Sequence, residues 1–121
     1  MRVLRLVVIL GALLTASVVS AWAYSRDFYI VNGTALPIIG VYISRPGLDR
    51  WVPTSDFRLL GSGQEAHISF GNAGPCLMQL RVNFYNGTHA SWRRGFNFCS
   101  VERVTIRWDG RGYVADYTYA R

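Results

Sequence analysis

A strict alternation of apolar and polar positions marks the centre of the chain, directly after its first cysteine. Within residues 76–85, one face carries Cys76, Met78, Leu80, Val82 and Phe84. The opposite face carries Gln79, Arg81 and Asn83. This period of two is typical of a β-strand that is buried on one side only.

The next residues predict that this strand returns as a β-hairpin. Asn86-Gly87 is the dipeptide that most readily takes the positive φ angles of a tight hairpin turn. The return arm places Trp92, Phe96 and Phe98 on one face, but Cys99 has the opposite parity. Either a bulge at Gly95 corrects the parity, or Cys99 lies just past the end of the strand, which is the preferred interpretation.

The same alternation predicts five further strands, at residues 27–31, 38–44, 65–70, 102–108 and 112–119. For three of these strands the alternation indicates the inward face. The inward residues are Ile39, Val41 and Ile43 in 38–44, Ala66, Ile68 and Phe70 in 65–70, and Val104, Ile106 and Trp108 in 102–108. Turns are expected at residues 32–34 and 109–112. Residues 45–63 read as a long loop, with a single helical turn near 56–60 capped by Thr54 or Ser55. A loop of this length is where a functional site is expected.

Seven short strands with turn signals between them predict an all-β fold. The favoured architecture is a single small antiparallel β-sandwich of immunoglobulin-like type, with one disulfide. The alternative is a small β-barrel.

The first 23 residues have the pattern of a signal peptide. Arg2 and Arg5 form a basic start, an apolar run follows, and Ala21-Trp22-Ala23 is a small-x-small cleavage site. The apolar run is shorter than the ~20 residues of a spanning helix, so we expect cleavage after Ala23 rather than a retained anchor. The arginines are not adjacent, which favours the general secretory route over the twin-arginine route. Residues 24–121 then form one domain.

Export changes the interpretation of the two cysteines and of the charge. In an oxidising compartment Cys76 and Cys99, at the two ends of the hairpin, are expected to form a disulfide. All 13 basic residues are arginine, so lysine-dependent covalent chemistry is excluded. Signal cleavage lowers the formal net charge from +6 to +4, which falls well short of a dedicated nucleic-acid binder.

The two histidines offer a weak case for catalysis. His67 is expected on the outward face of a strand and His89 beside the hairpin turn, each followed two residues later by a serine. A hydrolase using His67 or His89 is therefore an alternative, although no G-x-S-x-G motif is present. The cysteines and histidines lack the close pairing of zinc ligands, so neither a metal nor another cofactor is expected. We predict a protein that is not an enzyme.

Two surface features suggest binding. The last strand alternates Tyr113, Tyr117 and Tyr119, which could stack on sugars but more readily pack over the core and its rim. If their strands are neighbours in one sheet, five arginines form a basic stripe suited to carboxylate or phosphate groups. The alternative, which the low net charge favours, is a solvated surface without a ligand. These candidate anion-binding residues are Arg81, Arg93, Arg94, Arg103 and Arg107.

The chain also resembles a family of small exported bacterial proteins, mostly uncharacterised and often labelled only as signal-peptide-bearing or Tat pathway signal proteins. The matching residues are 26–34 (RDFYIVNGT), 41–44 (VYIS), Trp51, 60–61 (LG), Cys76, 80–82 (LRV), 86–87 (NG), Trp92, 97–99 (NFC) and Trp108. It departs from the family at Gln79 and at Asn86, where the family tends to carry aspartate. The resemblance spans nearly all of residues 24–121 and implies the fold and export, but no activity.

The sequence therefore predicts a periplasmic or secreted β-sandwich that acts as a non-enzymatic binding or structural protein of the cell envelope. The sequence does not identify a partner; the candidates are an anionic envelope component, bound through arginine, and another protein. Nucleic acid is not expected as a partner. No membrane span is expected after signal cleavage.

Overall fold

The chain forms eight β-strands in the computed structural model, which describes residues 27–54, 57–69 and 75–119. The strands are β1 (Phe28–Gly33), β2 (Ile38–Ser44), β3 (Val52–Pro53), β4 (Glu65–Ile68), β5 (Leu77–Phe84), β6 (His89–Asn97), β7 (Val101–Trp108) and β8 (Tyr113–Tyr119). The described residues contain no helix, which confirms the all-β prediction. The cleavage site and residues 1–26 lie outside this range.

The strands form two four-stranded sheets, ordered β4-β1-β7-β8 and β3-β2-β5-β6. All neighbouring strands are antiparallel except β1 and β7, which are parallel. The predicted antiparallel sandwich is confirmed, with this one pair as an exception. Parallel neighbours need a long crossover, and here the chain between β1 and β7 contains β4 and the whole second sheet.

Apolar residues of both sheets meet in one core. The ring of Phe84 on β5 stacks on Tyr113 of β8 at 4.4 Å between centroids, and Phe96 on β6 contacts Tyr117 of β8 at 5.5 Å. No strand pairs across the two sheets within the described ranges, so the architecture is a sandwich and not a closed barrel. The buried apolar residues are Phe28, Ile30, Ile38, Val41, Ile43, Leu60, Ile68, Met78, Leu80, Val82, Phe84, Phe96, Phe98, Val101, Val104 and Ile106.

The hairpin of β5 and β6 is present, with two differences from the prediction. Only Gly87 of the predicted turn has a positive φ (87°). The amide of Gly87 donates to the carbonyl of Phe84, and the amide of Phe84 donates to the carbonyl of Thr88. The hairpin therefore closes through a three-residue loop with a glycine bulge. Gln79 was expected on the exposed face of β5 but is only 2 % exposed, because its amide donates to the Arg45 carbonyl of the segment 45–51.

The return strand contains a bulge at Gly95, and Cys99 also lies beyond the end of the strand. Met78 pairs with Phe96 and Leu80 pairs with Trp92, so residues 93–95 form a bulge opposite Gln79, with Gly95 at a φ of 76°. Strand β6 ends at Asn97, and Cys99 lies beyond it, as preferred. The disulfide between Cys76 and Cys99 is present, with 5.2 Å between the Cα atoms.

A second bulge changes the inward face of β2. Ile38 pairs with Phe84 and Gly40 pairs with Asn83, so Ile39 is an extra residue. Ile39 was expected to face inward but is 41 % exposed, whereas Ile38 is buried. After the bulge the alternation resumes as predicted, with Val41 and Ile43 in the core.

Trp108 was also expected to face inward, and it is 52 % exposed. The ring of Tyr113 stacks on Phe84 of the core, and Trp108 packs edge-on against Tyr113 at 4.9 Å between centroids. The tyrosines of β8 follow the expected pattern of core and rim. Tyr113 borders the core, while Tyr117 and Tyr119 are exposed.

The long loop contains extended rather than helical structure where it is described. Strand β3 lies within it, and Leu60 exchanges two backbone hydrogen bonds with Ile38, at 2.8 and 2.9 Å. Residues 57–60 contain no helical turn, so the predicted turn is absent there. Ser55 and Asp56 of that prediction, and Phe70 of the strand predicted at 65–70, lie outside the described residues.

Candidate functional site

The five candidate arginines do not form one stripe. Arg81 lies on β5, and Arg93 and Arg94 lie on β6, whereas Arg103 and Arg107 lie on β7 in the other sheet. The stripe required these strands to be neighbours, but β7 pairs with β1 and β8 instead. Since the outer faces of a sandwich point in opposite directions, the two groups cannot bind one ligand together.

The two arginines of β7 are paired with carboxylates on neighbouring strands. The Nε of Arg103 donates to Glu65 at 2.8 Å, and its guanidinium lies 5.3 Å from the ring centre of Tyr29. Arg107 forms an ion pair with Asp116. These hydrogen bonds raise the pKa of each arginine above its usual value. The pairs are exposed and contribute little stability, but they neutralise most of the charge on this face.

The two arginines of β6 differ from each other. Arg93 forms an ion pair with Asp49 at 2.6 Å, which ties the segment 45–51 to the edge of the sheet. Arg94 is exposed and has no ion pair with any described carboxylate. An exposed arginine with no fixed partner is the ordinary state of a solvated side chain.

Arg81 has a different environment from the other four. It is partly buried, and its guanidinium lies 6.0 Å from the ring centre of Trp51. Its Nε donates to the side-chain oxygen of Asn83 at 3.2 Å, which orients the guanidinium. No carboxylate among the described residues forms an ion pair with it. Together with Tyr42 these side chains line a shallow cleft of about 210 Å³, which we call the Arg81 shelf (Tyr42, Trp51, Arg81 and Asn83).

The segment 45–51 builds one side of this shelf. It folds over the outer face of the sheet β3-β2-β5-β6, where Ser44 lies opposite Gln79 on the paired strands. The hydroxyl of Ser44 donates to the Leu48 carbonyl at 2.9 Å, and the amide of Gln79 donates to the Arg45 carbonyl at 2.9 Å. Both side chains are buried by this contact. The segment is thereby held in place, and it ends at Trp51 against Arg81.

The alternation of β5 predicts that Arg81 and Asn83 share the outward face, and this holds. The part played by Trp51 was missed, because the sequence places it in a loop without indicating the strand that it covers. The length of the loop 45–63 was the available signal, because a functional site is expected in a loop of this length.

The two histidines do not share a site. His67 on β4 lies 3.7 Å from Asp27, between Nε2 and Oδ2, and its ring lies 5.0 Å from that of Tyr29. His89 is on β6 of the other sheet, opposite Asn83. The described residues contain no group of three or more side chains that could hold a metal ion. Nothing in their arrangement links either histidine to a nucleophile.

Residues 27–54, 57–69 and 75–119 include no helix with the length and apolar character needed to cross a membrane.

Comparison with known proteins gives the fold and nothing beyond it. No protein-family model matches the sequence, and no match was found among curated proteins. The structure is similar to the NMR structure of a protein from Eubacterium rectale, with a TM-score of 0.56 and 16 % sequence identity. The similarity covers 82 % of this chain and 93 % of that chain, so the sandwich described here is also the fold of that protein.

Proposed function

We propose that this protein is exported and acts as a non-enzymatic binding protein, whose Arg81 shelf recognises an acidic sugar residue of an envelope or extracellular polysaccharide. The observation that carries the proposal is the state of Arg81. It is partly buried, oriented by Asn83 and stacked near Trp51, and it lacks a carboxylate partner in the described part of the chain.

A partly buried cation is normally paired, because removal from water penalises an uncompensated charge. Arg93, Arg103 and Arg107 each form an ion pair with a carboxylate, although they are more exposed. We therefore expect a ligand to supply the anionic group that pairs with Arg81. Because the planar guanidinium can donate two parallel hydrogen bonds, a carboxylate is a suitable partner.

The neighbours of Arg81 favour a sugar acid over a simple anion. Trp51 and Tyr42 offer aromatic faces with polar edges, against which the apolar face of a sugar ring can pack. Asn83 offers an amide that can both donate and accept hydrogen bonds with hydroxyl groups. A uronic acid residue combines a ring, hydroxyl groups and a carboxylate in one unit, which matches the shelf.

Export is the second part of the proposal. It is supported by the signal-peptide pattern of residues 1–23 and by the disulfide between Cys76 and Cys99, which is stable in an oxidising compartment. The resemblance to small exported bacterial proteins agrees with it. Acidic polysaccharides are met outside the cytoplasm, so location and ligand class are consistent.

The direct test is titration of the purified protein with a galacturonic acid oligosaccharide. Calorimetry and the NMR signal of the Trp51 indole detect the binding. The neutral galactose oligosaccharide of equal length is the ligand control. We expect weak binding of the acidic oligosaccharide that decreases as salt is raised, because the site is at the surface. Absence of binding, or equal binding of the neutral oligosaccharide, would contradict the proposal.

Variants identify the residues responsible. Arg81→Gln should weaken binding by about tenfold, which corresponds to the loss of one charge-assisted hydrogen bond. Trp51→Ala should weaken it by a similar factor through lost ring packing. Arg94→Gln removes the same charge from an exposed arginine with no fixed partner and should have little effect. Equal weakening by Arg94→Gln would mean that net charge, and not the shelf, controls binding.

A further inference from the structure

We infer a second ligand site, at the end of the sandwich, that binds an amphiphile with one aliphatic chain and an anionic head group. The site is a cleft of about 620 Å³ between the end of β2, the start of β5 and the segment 45–52. We call it the end cleft, and its principal lining residues are Ile43, Met78, Leu48, Val52, Arg45 and Arg50. It shares no residue with the Arg81 shelf.

The floor of the end cleft belongs to the core. Ile43 on β2 and Met78 on β5 are both buried residues of the apolar cluster, yet both line the cleft. Leu48 and Val52 extend this apolar lining towards the solvent and are each about half exposed, at 50 % and 51 %. The cleft is thus a point at which aliphatic surface continues from the core to the outside, which suits an apolar ligand group.

Two arginines, Arg45 and Arg50, border the same cleft. Arg45 and Arg50 are exposed, and neither forms an ion pair with a carboxylate in the described part of the chain. The backbone of Arg45 is held by the hydrogen bond from Gln79 to its carbonyl, so its side chain starts from a fixed point. Two guanidinium groups that line the same cleft as an apolar floor complement a carboxylate, sulfate or phosphate joined to an apolar group.

The side chains that line the floor of the end cleft indicate which kind of apolar group the ligand carries. All four apolar residues are aliphatic, and no aromatic ring of a described residue lines the cleft. Met78 is unbranched and flexible, so it can adapt to a hydrocarbon chain. The volume lies within the range of small-molecule sites, which is about 300–1,000 Å³. The occupant is therefore a single-chain amphiphile taken up as a free molecule, and dodecanoate is a suitable probe.

The experiment follows the methyl NMR signals of Ile43, Leu48, Val52 and Met78 while dodecanoate is added below its micelle concentration. Dodecanol tests the need for the anion, and butyrate tests the need for the chain. We expect saturable shifts of the methyl signals of these four residues with dodecanoate and at least about tenfold weaker binding of either control. Absence of shifts, or equal binding of dodecanol, would overturn the inference.

Matched double variants distinguish an effect of the arginines in the end cleft from an effect of the net charge of the protein. Arg45→Ala plus Arg50→Ala should weaken dodecanoate binding by at least about tenfold. Arg58→Ala plus Arg111→Ala removes the same charge from exposed positions that do not line the cleft. This control should leave binding unchanged, and equal weakening by both pairs would overturn the inference. Binding to anionic vesicles without binding of free dodecanoate would also overturn it, in favour of a membrane surface.

The inference stands independently of the proposed polysaccharide site. Arg81→Gln should leave dodecanoate binding unchanged, because the shelf and the cleft have no residue in common. Failure of the sugar titration therefore leaves the end cleft intact, and failure of the dodecanoate titration leaves the shelf intact.

Discussion

Asn32 shows how one side chain holds an end of the sandwich together. It is fully buried, and its amide donates to the carbonyls of Leu36 and Leu60 at 2.8 and 2.9 Å. Its side-chain oxygen accepts from the backbone amide and the hydroxyl of Thr34, at 3.0 and 2.7 Å. These four bonds use the whole hydrogen-bonding capacity of an asparagine. They join β1 to the segments that follow it and to the long loop.

Replacing Asn32 by alanine should therefore be costly. We expect Asn32→Ala to lower the free energy of unfolding by about 3 kcal/mol or more, since several buried backbone groups lose their partners. Asn86→Ala is the matched control, because Asn86 accepts the same two bonds from Thr88 but is exposed. It should cost about 1 kcal/mol or less. Urea denaturation of both variants measures the difference, and equal losses would show that burial of Asn32 is unimportant.

This pair of residues also marks a limit of sequence analysis. Both asparagines begin the same tripeptide, Asn-Gly-Thr, and the sequence predicts a turn at each. The prediction is correct at Asn86, where the chain reverses between β5 and β6. It is wrong at Asn32, which continues β1 and is followed by the turn only after Gly33. Local propensity is the same at both places, so tertiary burial decides between them.

At the scale of strands, two bulges account for part of the disagreement with the predicted alternation. The extra residue in β2 turns Ile39 outward, and the bulge in β6 inserts residues 93–95 opposite Gln79. A period of two predicts faces correctly only until a residue is inserted. The β6 bulge was foreseen as an alternative because parity at Cys99 required a correction. The β2 bulge left no comparable mark in the sequence.

Gly95 supports the β6 bulge through two separate properties. Its φ is 76°, and a Cβ atom built on it would lie 2.5 Å from the carbonyl oxygen of Met78. We expect Gly95→Ala to lower the free energy of unfolding by about 3 kcal/mol, because backbone strain adds to a clash with the neighbouring strand. Gly87→Ala is the control, since Gly87 has a similar φ of 87° with open space around it.

Gly87→Ala should cost only the backbone strain, about 1 kcal/mol. Urea denaturation of both variants measures the two losses. If Gly95→Ala were no more destabilising than Gly87→Ala, the close approach of β5 at the bulge would not be a constraint on the fold.

At the scale of the whole molecule, the disulfide between Cys76 and Cys99 constrains the unfolded chain. The two residues are 23 apart in sequence and close the whole β5–β6 hairpin. Cys76→Ala plus Cys99→Ala should lower the free energy of unfolding by about 3 kcal/mol, from the loop-closure entropy regained by the unfolded chain. Urea denaturation measures it, and reduction of the unmutated protein should reproduce the loss. Reaction of both cysteines with a thiol reagent before reduction would show that the bond is absent.

The sequence by itself determined the all-β class, most of the strand positions, the outward placement of Arg81 and the pairing of the cysteines. These are local properties, because the period of side chains along a strand and the turn residues act within about ten positions. The disulfide joins this group because both cysteines flank a single hairpin.

Only the tertiary structure decided which strands are neighbours, and therefore which surface residues lie together. It separated Arg81 from Arg103 and Arg107, placed β1 parallel to β7, and laid the segment 45–51 over Gln79. The physical reason is that strand order and loop docking depend on contacts between distant positions, which alternation along one strand does not encode. The Arg81 shelf and the end cleft both arise from that loop docking, so neither was apparent in the sequence.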